Sequence, residues 1–450
     1  MNKKKIIALL LSATMAAGLL AGCGSSGSDK KDDSGESAKT AEGATELEFW
    51  TFTEIHGDFY ETMAEKWNEA NPDKEVSINV NVMPYDDMHN KLQIALNSGE
   101  GTPDFVDIEQ GKFANFTQGT PALMDLTDSA KEYTASGNIV QSRLDLYSKD
   151  GKLYGLPTHV GATVAFYNTE LLEGAGIGYT TIKTWDDFKE AGSKYYEATG
   201  KYLGTADTSA LWTENLILAE LGGEYTDADG NVTVNSDEMV ETMTLLKDLY
   251  DAKAIGTVPG GNPDKEEAYG AFNSGDFACA IMPMWQMSRY TSYMPELSGK
   301  IAIAAAPVME EGAEVKSVGG GGTGTAVVAD KDNAELAAEF LAYAKLSDDG
   351  AAEIWDMLGF DPCNKAVWDN EEITDNPDNQ YIQYFQNNPF DVLKEIEDGI
   401  AGLESHASAA YPSINNMFTT VTLNDIFENG TDVKTALDQA ETDLKNELGQ

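Results

Sequence analysis

The sequence predicts an α/β fold with a largely parallel sheet, because strand and helix periods alternate from the first apolar run onward. Residues 46–50 read as a strand, and apolar side chains then repeat at helical spacing over 59–67. Residues 78–82 alternate as a second strand, 88–96 carry a second helical repeat, and 105–108 form a third strand. A strand–helix–strand–helix–strand order is typical of parallel sheets covered by helices.

A second α/β region follows the first. Its predicted strands are 164–167, 277–282, 301–305 and 325–329, and its predicted helices are 185–196, 212–221, 239–250, 265–273, 333–345 and 350–358. Thr184 is the expected N-cap of the first of these helices. About 400 residues are too many for one hydrophobic core, so we expect two lobes.

The first 44 residues predict export and lipid anchoring. A basic start at residues 3–5 precedes a short apolar run, 6–20, which is too short to span a bilayer comfortably. Leu20-Ala21-Gly22-Cys23 resembles the bacterial lipobox. We therefore expect a lipoprotein signal peptide over 1–22, acylation of Cys23, and a flexible tether over 23–44, which has no aromatic or large aliphatic residue after Cys23. The expected location is the extracellular face of the bacterial cytoplasmic membrane.

Composition excludes some classes of function. The chain has 76 acidic and 30 basic residues, a formal net charge of −46, which argues against a nucleic-acid partner. Apart from Cys23, only Cys279 and Cys363 are present, and we expect two small buried residues, with a bridge between them left open.

No metal or cofactor is predicted. The four histidines, His56, His89, His159 and His406, show no metal-ligand spacing. Asp227, Asp229, Asn231 and Glu238 imitate a calcium loop, but Val232 stands where that loop needs glycine. A hairpin turn around Asp229-Gly230 explains the same residues.

Several segments resemble one family along nearly the whole mature chain. They are 67–72 (WNEANP), 102–107 (TPDFVD), 154–157 (YGLP), 166–168 (FYN), 184–188 (TWDDF) and 282–285 (MPMW). Their order and spacing resemble the extracellular solute-binding proteins of sugar ABC transporters, the maltose-binding-protein-like class. Residues 49–116 look most like the arabino-oligosaccharide binders of low-GC Gram-positive bacteria.

The resemblance implies a periplasmic-binding-protein-like fold with two α/β lobes, a hinge and an interlobe ligand cleft. Lobe one would comprise 45–159 plus 323–370, and lobe two 160–322 plus 371–450. It also implies a monomeric binding protein, not an enzyme, that captures an oligosaccharide and passes it to the permease subunits of an ABC importer by hinge closure.

Aromatic and planar polar side chains suit a sugar, which offers C–H faces and hydroxyl groups. Trp285 follows a buried strand and matches a family tryptophan that stacks on ligand, with core packing as the alternative. Trp212 falls where the family has a stacking aromatic at a helix start. Arg289, one turn beyond Trp285, could bind hydroxyls or an acidic neighbour.

Polar candidates follow the first and third strands, where ligands of parallel sheets bind. Glu109, Gln110 and Lys112 follow the third strand, and the family places polar sugar contacts there. Glu54 and His56 follow the first strand, with a solvated loop as the alternative.

The predicted crossovers between lobes supply the remaining candidates. His159 lies just after Pro157, near a position where the family sometimes has an acidic contact. Gly320 and Gly321, within a four-glycine run, would let the backbone approach the ligand or let the crossover bend.

Two other classes of protein stay open. A secreted glycoside hydrolase needs two carboxylates across a sugar, and 76 acidic residues cannot exclude such a pair. A binder of peptides or another non-sugar solute is the third class.

Overall fold

The computed structural model describes residues 43–450. The predicted signal peptide, Cys23 and most of the predicted tether lie outside the described residues. The strands are β1 (Thr45–Thr51), β2 (Val76–Val82), β3 (Phe105–Glu109), β4 (Ser148–Lys149), β5 (Lys152–Leu153), β6 (Leu156–Pro157), β7 (Thr163–Asn168), β8 (Gly204–Ala206), β9 (Ile255–Thr257), β10 (Cys279–Pro283), β11 (Ile301–Ala305), β12 (Ser317–Val318), β13 (Thr323–Val327) and β14 (Ile400–Ala401).

Helices lie between most of these strands and cover their faces. They are α1 (Glu54–Ala70), α2 (Tyr85–Ser98), α3 (Gln110–Phe113), α4 (Thr127–Thr134), α5 (Gln141–Asp145), α6 (Thr169–Gly174), α7 (Trp185–Thr199), α8 (Trp212–Glu220), α9 (Asp237–Asp251), α10 (Glu266–Asn273), α11 (Met287–Tyr293), α12 (Ala334–Leu346), α13 (Asp348–Leu358), α14 (Glu371–Thr374), α15 (Gln380–Tyr384), α16 (Pro389–Ile396), α17 (Tyr411–Met417), α18 (Leu423–Phe427) and α19 (Val433–Leu448). The α/β class predicted from the strand and helix periods is confirmed.

The first sheet has the order β2-β1-β3-β13-β6. β1 is parallel to both β2 and β3, as the alternating pattern predicts, whereas β13 is antiparallel to β3 and to β6. Aromatic side chains fill the layer between this sheet and α1. Phe49 and Phe105 stack with ring centroids 4.6 Å apart, and Tyr60 meets Phe49 edge-on at 4.7 Å.

The second sheet is antiparallel, with β7 between β10 and β11. The short β8–β9 pair lies beside β10, and the bridge between Tyr202 and Phe277 is parallel. The carboxyl ends of β8 and β10 therefore lie at the same edge. α8 packs against β10 and α9.

Two chain segments connect the first sheet with the rest of the fold, and Asp361 binds one of them. Residues 158–162 lead from β6 to β7, and residues 319–322 lead from β12 to β13. The amide of Thr158 donates to the carbonyl of Thr323 at 3.2 Å. The buried Asp361 carboxylate accepts from the amides of Gly161 and Ala162 at 3.0 and 2.8 Å. The amide of Gly320 donates to the carbonyl of Gly161 at 2.8 Å, so a backbone hydrogen bond joins the two crossovers, while Asp361 binds the first crossover alone.

Three smaller predictions are tested by this structure. Cys279 and Cys363 are buried and free, so they are small core residues and not a bridge. Asp227 accepts from the amides of Asp229 and Asn231 at 2.9 Å, and Gly230 has φ +79°, which confirms the hairpin turn. Within residues 43–450 no helix is long and apolar enough to cross a membrane.

Candidate ligand-binding site

Trp212 and Trp285 meet edge to face beside the glycine-rich crossover. Trp285 lies in the 3-10 turn after β10 and is only 6% exposed, and Trp212 begins α8 and is partly exposed. Their ring centroids are 5.3 Å apart at 72°. The indole N–H of Trp285 donates to the Gly320 carbonyl at 3.0 Å. This bond fixes the Trp285 ring against the crossover, while Trp212 keeps part of its face accessible.

Gly321 lies under both tryptophans. Its φ is +63°, in the left-handed region, and a Cβ there would come 3.4 Å from both indoles. The absent side chain therefore lets the backbone lie close to the two rings. Gly320 and Gly321 lie in the second crossover and stay predicted ligand contacts.

Arg289 is paired with an acidic neighbour. Its Nε donates to Asp264 at 2.9 Å, and its guanidinium carbon lies 5.2 Å from the Trp285 ring centroid. Burial alone would lower the pKa of Arg289, but the charge and the hydrogen bond of Asp264, with smaller effects of Tyr269 and Tyr293, together raise it. Of the two roles considered from the sequence, pairing with an acidic residue is the one formed here.

Gln110 links the first sheet to the carboxyl-terminal region. Its side-chain nitrogen lies 2.6 Å from Nδ1 of His406, and its side-chain oxygen accepts from Arg143 at 3.4 Å. Its amide N–H donates to the Gly322 carbonyl at 2.9 Å. All the polar groups of this predicted ligand residue, apart from its own carbonyl, thus have protein partners.

Glu109 ends β3 and caps α3. Its carboxylate accepts from the Tyr85 hydroxyl at 3.0 Å and from the Gly111 amide at 2.7 Å. Burial raises its pKa, although these two hydrogen bonds favour the charged form. The side chain of Lys112 is partly exposed, and its Nζ lies 3.7 Å from Oδ1 of Asp86.

Glu54 and His56 lie on α1 and not in a loop. Glu54 is exposed at the first helical position. His56 is buried, with Nδ1 2.7 Å from Asp107, so that nitrogen is not available to a ligand. The solvated loop considered as the alternative is not formed, because α1 begins at Glu54 and only two residues separate it from β1; a ligand contact of Glu54 or His56 stays a prediction.

His159 is enclosed at the first crossover. It is 4% exposed, its ring lies 4.8 Å from that of Phe360, and within residues 43–450 neither ring nitrogen has a hydrogen-bond partner. Burial, reinforced by the charge of Arg143, holds its pKa well below the usual range. His159 is therefore a neutral ring at the first crossover.

Two buried acids at the second sheet were missed by sequence reasoning. Asp207 follows β8 and Glu214 lies in the first turn of α8, and they are 3% and 2% exposed. Among the described residues, both Asp207 oxygens and Oε2 of Glu214 have no hydrogen-bond partner of normal geometry, although Thr205 lies near enough to favour ionised Asp207 slightly. Burial raises the pKa of Asp207 to about 7. Burial and the charge of Asp207 raise the pKa of Glu214.

Glu214 lies two residues after Trp212 on α8, and Asp207 follows β8. A buried carboxyl group without a partner costs free energy, so such groups are expected where a ligand supplies hydrogen-bond partners. The sequence feature that could have identified Asp207 is its position directly after a strand, at the Ala206-Asp207 junction. A three-residue strand, however, carries too little periodicity to be recognised.

Comparisons with known proteins identify the family of this chain. The family model described as "Bacterial extracellular solute-binding protein" matches residues 53–351. The chain belongs to this family. It is 40% identical over 411 residues to the arabinooligosaccharide-binding protein of Halalkalibacterium halodurans, covering 91% of each chain. It is also 40% identical over 446 residues to the protein of that name from Bacillus subtilis, covering 98% of this chain and 99% of the relative.

Solved structures share the fold. The transporter-associated binding protein from B. animalis subsp. lactis in complex with β-1,6-galactobiose aligns over 90% of this solute-binding protein and 97% of its own chain, with a TM-score of 0.72 and 21% identity. The sugar-binding protein MalE from Xanthomonas citri aligns over 90% and 98%, with a TM-score of 0.74 and 14% identity. The fold is thus the predicted one of two α/β lobes with a cleft between them. The relatives named here are binding proteins and not enzymes.

Proposed function

We propose that this solute-binding protein captures an oligosaccharide outside the cell and delivers it to the permease of an ABC importer. The observation that carries the proposal is the Trp212–Trp285 pair, with the buried acid Glu214, whose Oε2 has no partner among residues 43–450, on the helix that Trp212 begins. Aromatic faces suit the C–H face of a sugar, and carboxylate oxygens accept from its hydroxyl groups. The two relatives at 40% identity, both arabinooligosaccharide-binding proteins, support the same ligand class.

Hinge closure is the proposed mechanism. Lobe one would comprise 45–159 plus 323–370, and lobe two 160–322 plus 371–450, with the crossovers as the hinge. The sugar binds one lobe, and closure brings the contacts of the other lobe onto it. Binding energy then favours the closed form, which docks on the permease. No cofactor and no chemical change of the sugar is involved.

The proposed anchor is a lipid on Cys23 at the extracellular face of the cytoplasmic membrane. Residues 24–44 would then act as a tether that lets a monomeric binding protein reach the transporter. The support is the Leu20-Ala21-Gly22-Cys23 motif after a short apolar run. Replacing Cys23 with serine should release the protein from membranes into the medium, whereas a protein held by other means would stay membrane-associated.

Intrinsic tryptophan fluorescence tests the ligand class. Arabino-, xylo-, malto- and galacto-oligosaccharides are titrated into the protein, and the sugars are examined for cleavage after prolonged incubation. A saturable change with an intact sugar supports the proposal, because Trp212 and Trp285 lie at the site. No response to any of these sugars contradicts it and favours a peptide or small polar solute, while cleavage products favour a hydrolase.

A further inference from the structure

Arg143 fixes the orientation of the Gln110 side-chain amide. Arg143 is 1% exposed, and its Nε donates to the carbonyl of His159 at 3.3 Å while Nη2 donates to that of Gly321. A guanidinium is only a donor, so the group of Gln110 that faces Nη1 must be its oxygen. The NH₂ group of Gln110 therefore faces His406.

The amide in turn fixes the tautomer of His406. Its Nδ1 lies 2.6 Å from the Gln110 nitrogen, and a nitrogen that faces an amide donor must accept. Burial, with a smaller effect of the Arg143 charge, lowers the pKa of His406 to about 3, so the ring is neutral near pH 7. A neutral imidazole that accepts at Nδ1 carries its proton on Nε2.

That Nε2–H group is a buried donor without an acceptor in residues 43–450. The ring is 2% exposed and lies between Tyr225 and Tyr411, with centroids 6.1 and 4.3 Å away. A buried donor left unpaired costs free energy, and a ligand oxygen would remove that cost.

We propose that Arg143 and Gln110 are positioning residues that hold His406 in the Nε2–H tautomer, so that His406 donates a hydrogen bond to an oxygen of the sugar. This inference rests on the proposed function and deepens it. On the proposed boundaries Gln110 belongs to lobe one and His406 to lobe two. The donor is therefore correctly oriented only when the two lobes are in contact, which couples closure to ligand recognition.

The tautomer can be measured directly by ¹⁵N NMR on the intact chain labelled at histidine. His89 provides an internal reference, because its Nδ1 lies 2.7 Å from the Tyr85 carbonyl and its Nε2 accepts from the Glu109 amide at 3.1 Å. His89 is thus the opposite, Nδ1–H tautomer. The loss of one set of signals in His406→Asn assigns His406.

Gln110→Glu is the informative variant, because a carboxylate accepts from Arg143 but cannot donate to His406. We expect His406 to become protonated at Nδ1 and sugar affinity to fall at least tenfold, with the His89 signals unchanged. Gln141→Glu, the same substitution at an exposed position on α5, should leave both the tautomer and the affinity unchanged.

An Nε2–H signal that shifts on addition of the arabino-oligosaccharide would support the inference. An Nδ1–H tautomer in the wild-type protein, or wild-type affinity in Gln110→Glu, would overturn it. If the wild-type protein binds no sugar, the proposed function and the ligand contact both fall. The tautomer measurement would then still decide whether Arg143 and Gln110 orient the ring.

Discussion

At the scale of single residues, substitutions of Trp212 and Trp67 should have different effects, the first on ligand binding and the second on the stability of the fold. Trp212 is partly exposed at the cleft, whereas Trp67 is buried against Phe340 and Tyr343 in the first core. We expect Trp212→Ala to weaken sugar binding about tenfold, or roughly 1.4 kcal/mol, because a stacking face is lost. Its free energy of unfolding should change little. Isothermal titration calorimetry and urea unfolding measure the two effects.

Trp67→Ala is the matched control for that substitution. It should lower the free energy of unfolding by about 3–5 kcal/mol, because a large buried ring leaves a cavity. The folded fraction should bind sugar with wild-type affinity. Equal losses of affinity in the two variants would show that Trp212 acts through stability and not through contact.

Asp207 should make stability depend on pH in a defined direction. Its pKa is raised by burial to about 7, so the folded protein holds the proton more tightly than the unfolded chain does. The stabilisation from this group is complete below about pH 4 and is lost as the pH rises to about 7. Asp207→Asn, which does not titrate, should therefore unfold at higher urea than wild type at pH 8 but not at pH 4. The difference has a ceiling on the order of 4 kcal/mol.

Asp227, in the hairpin turn, should show the opposite dependence of stability on pH. Hydrogen bonds from Asn231 lower its pKa, so it contributes stability that is present at neutral pH and is lost on acidification. Asp227→Asn should give no gain at pH 8. A gain of the same size in both variants would mean that lowering the net negative charge, and not the buried site, causes the effect.

Residues on regular elements were predictable, whereas residues defined by tertiary contacts were not. Thr184 was predicted as an N-cap and does accept from the Asp187 amide, within a capping box. The position of Trp285 after a buried strand was predictable, because the apolar residues that indicate the strand lie just before it in the sequence. Arg143 and His406 were not assigned, because their roles depend on Gln110, which is 33 residues from one and 296 from the other.

At the scale of elements, the second crossover combines backbone strain with crowding. Gly322 has φ +100°, and a Cβ there would lie 3.0 Å from Nε2 of His159 and 3.2 Å from Nη2 of Arg143. Gly312 has φ +90° with no atom within 4 Å of a Cβ. Gly312→Ala should cost about 1–2 kcal/mol from backbone conformation alone. Gly322→Ala should cost more, because the side chains of the hinge must also shift.

Urea midpoints of the two variants measure that difference. Equal midpoints would mean that the hinge side chains adjust freely around an added methyl group. The comparison matters for function because the same residues surround Gly320 and Gly321, where the backbone meets the tryptophan pair. If the crossover tolerates no added side-chain volume, its backbone can change conformation only where its glycine residues permit.

Most of the secondary-structure elements that could not be predicted from the sequence are short. β8 has three residues and β12 has two, so neither carries a usable period, yet β8 positions Asp207. Most of the longer helices between residues 185 and 358 and the five-residue strands were predicted to within a few residues, since each repeats its pattern several times, whereas α1 begins five residues before its predicted repeat and α19 was not assigned bounds. The antiparallel pairing within the second sheet was also not predictable, because local periodicity does not report strand direction.

For the whole molecule, closure should be visible as a change of size. On the proposed boundaries the crossovers join the two lobes, and Gln110 and His406 meet across the boundary between them. We expect saturating arabino-oligosaccharide to lower the radius of gyration in small-angle X-ray scattering, since binding energy shifts the population toward the closed form. A sugar that produces no fluorescence change serves as the control.

Trp212→Ala distinguishes closure from simple occupancy. Because it removes a contact and leaves the hinge intact, it should need more sugar to reach the same final radius of gyration. The apparent affinity reflects the intrinsic affinity and the closed fraction together, so the end point and the midpoint report different quantities. A sugar that saturates the fluorescence change without altering the radius of gyration would show that the ligand binds to one lobe alone. Docking on the permease would then have to recognise something other than the closed form.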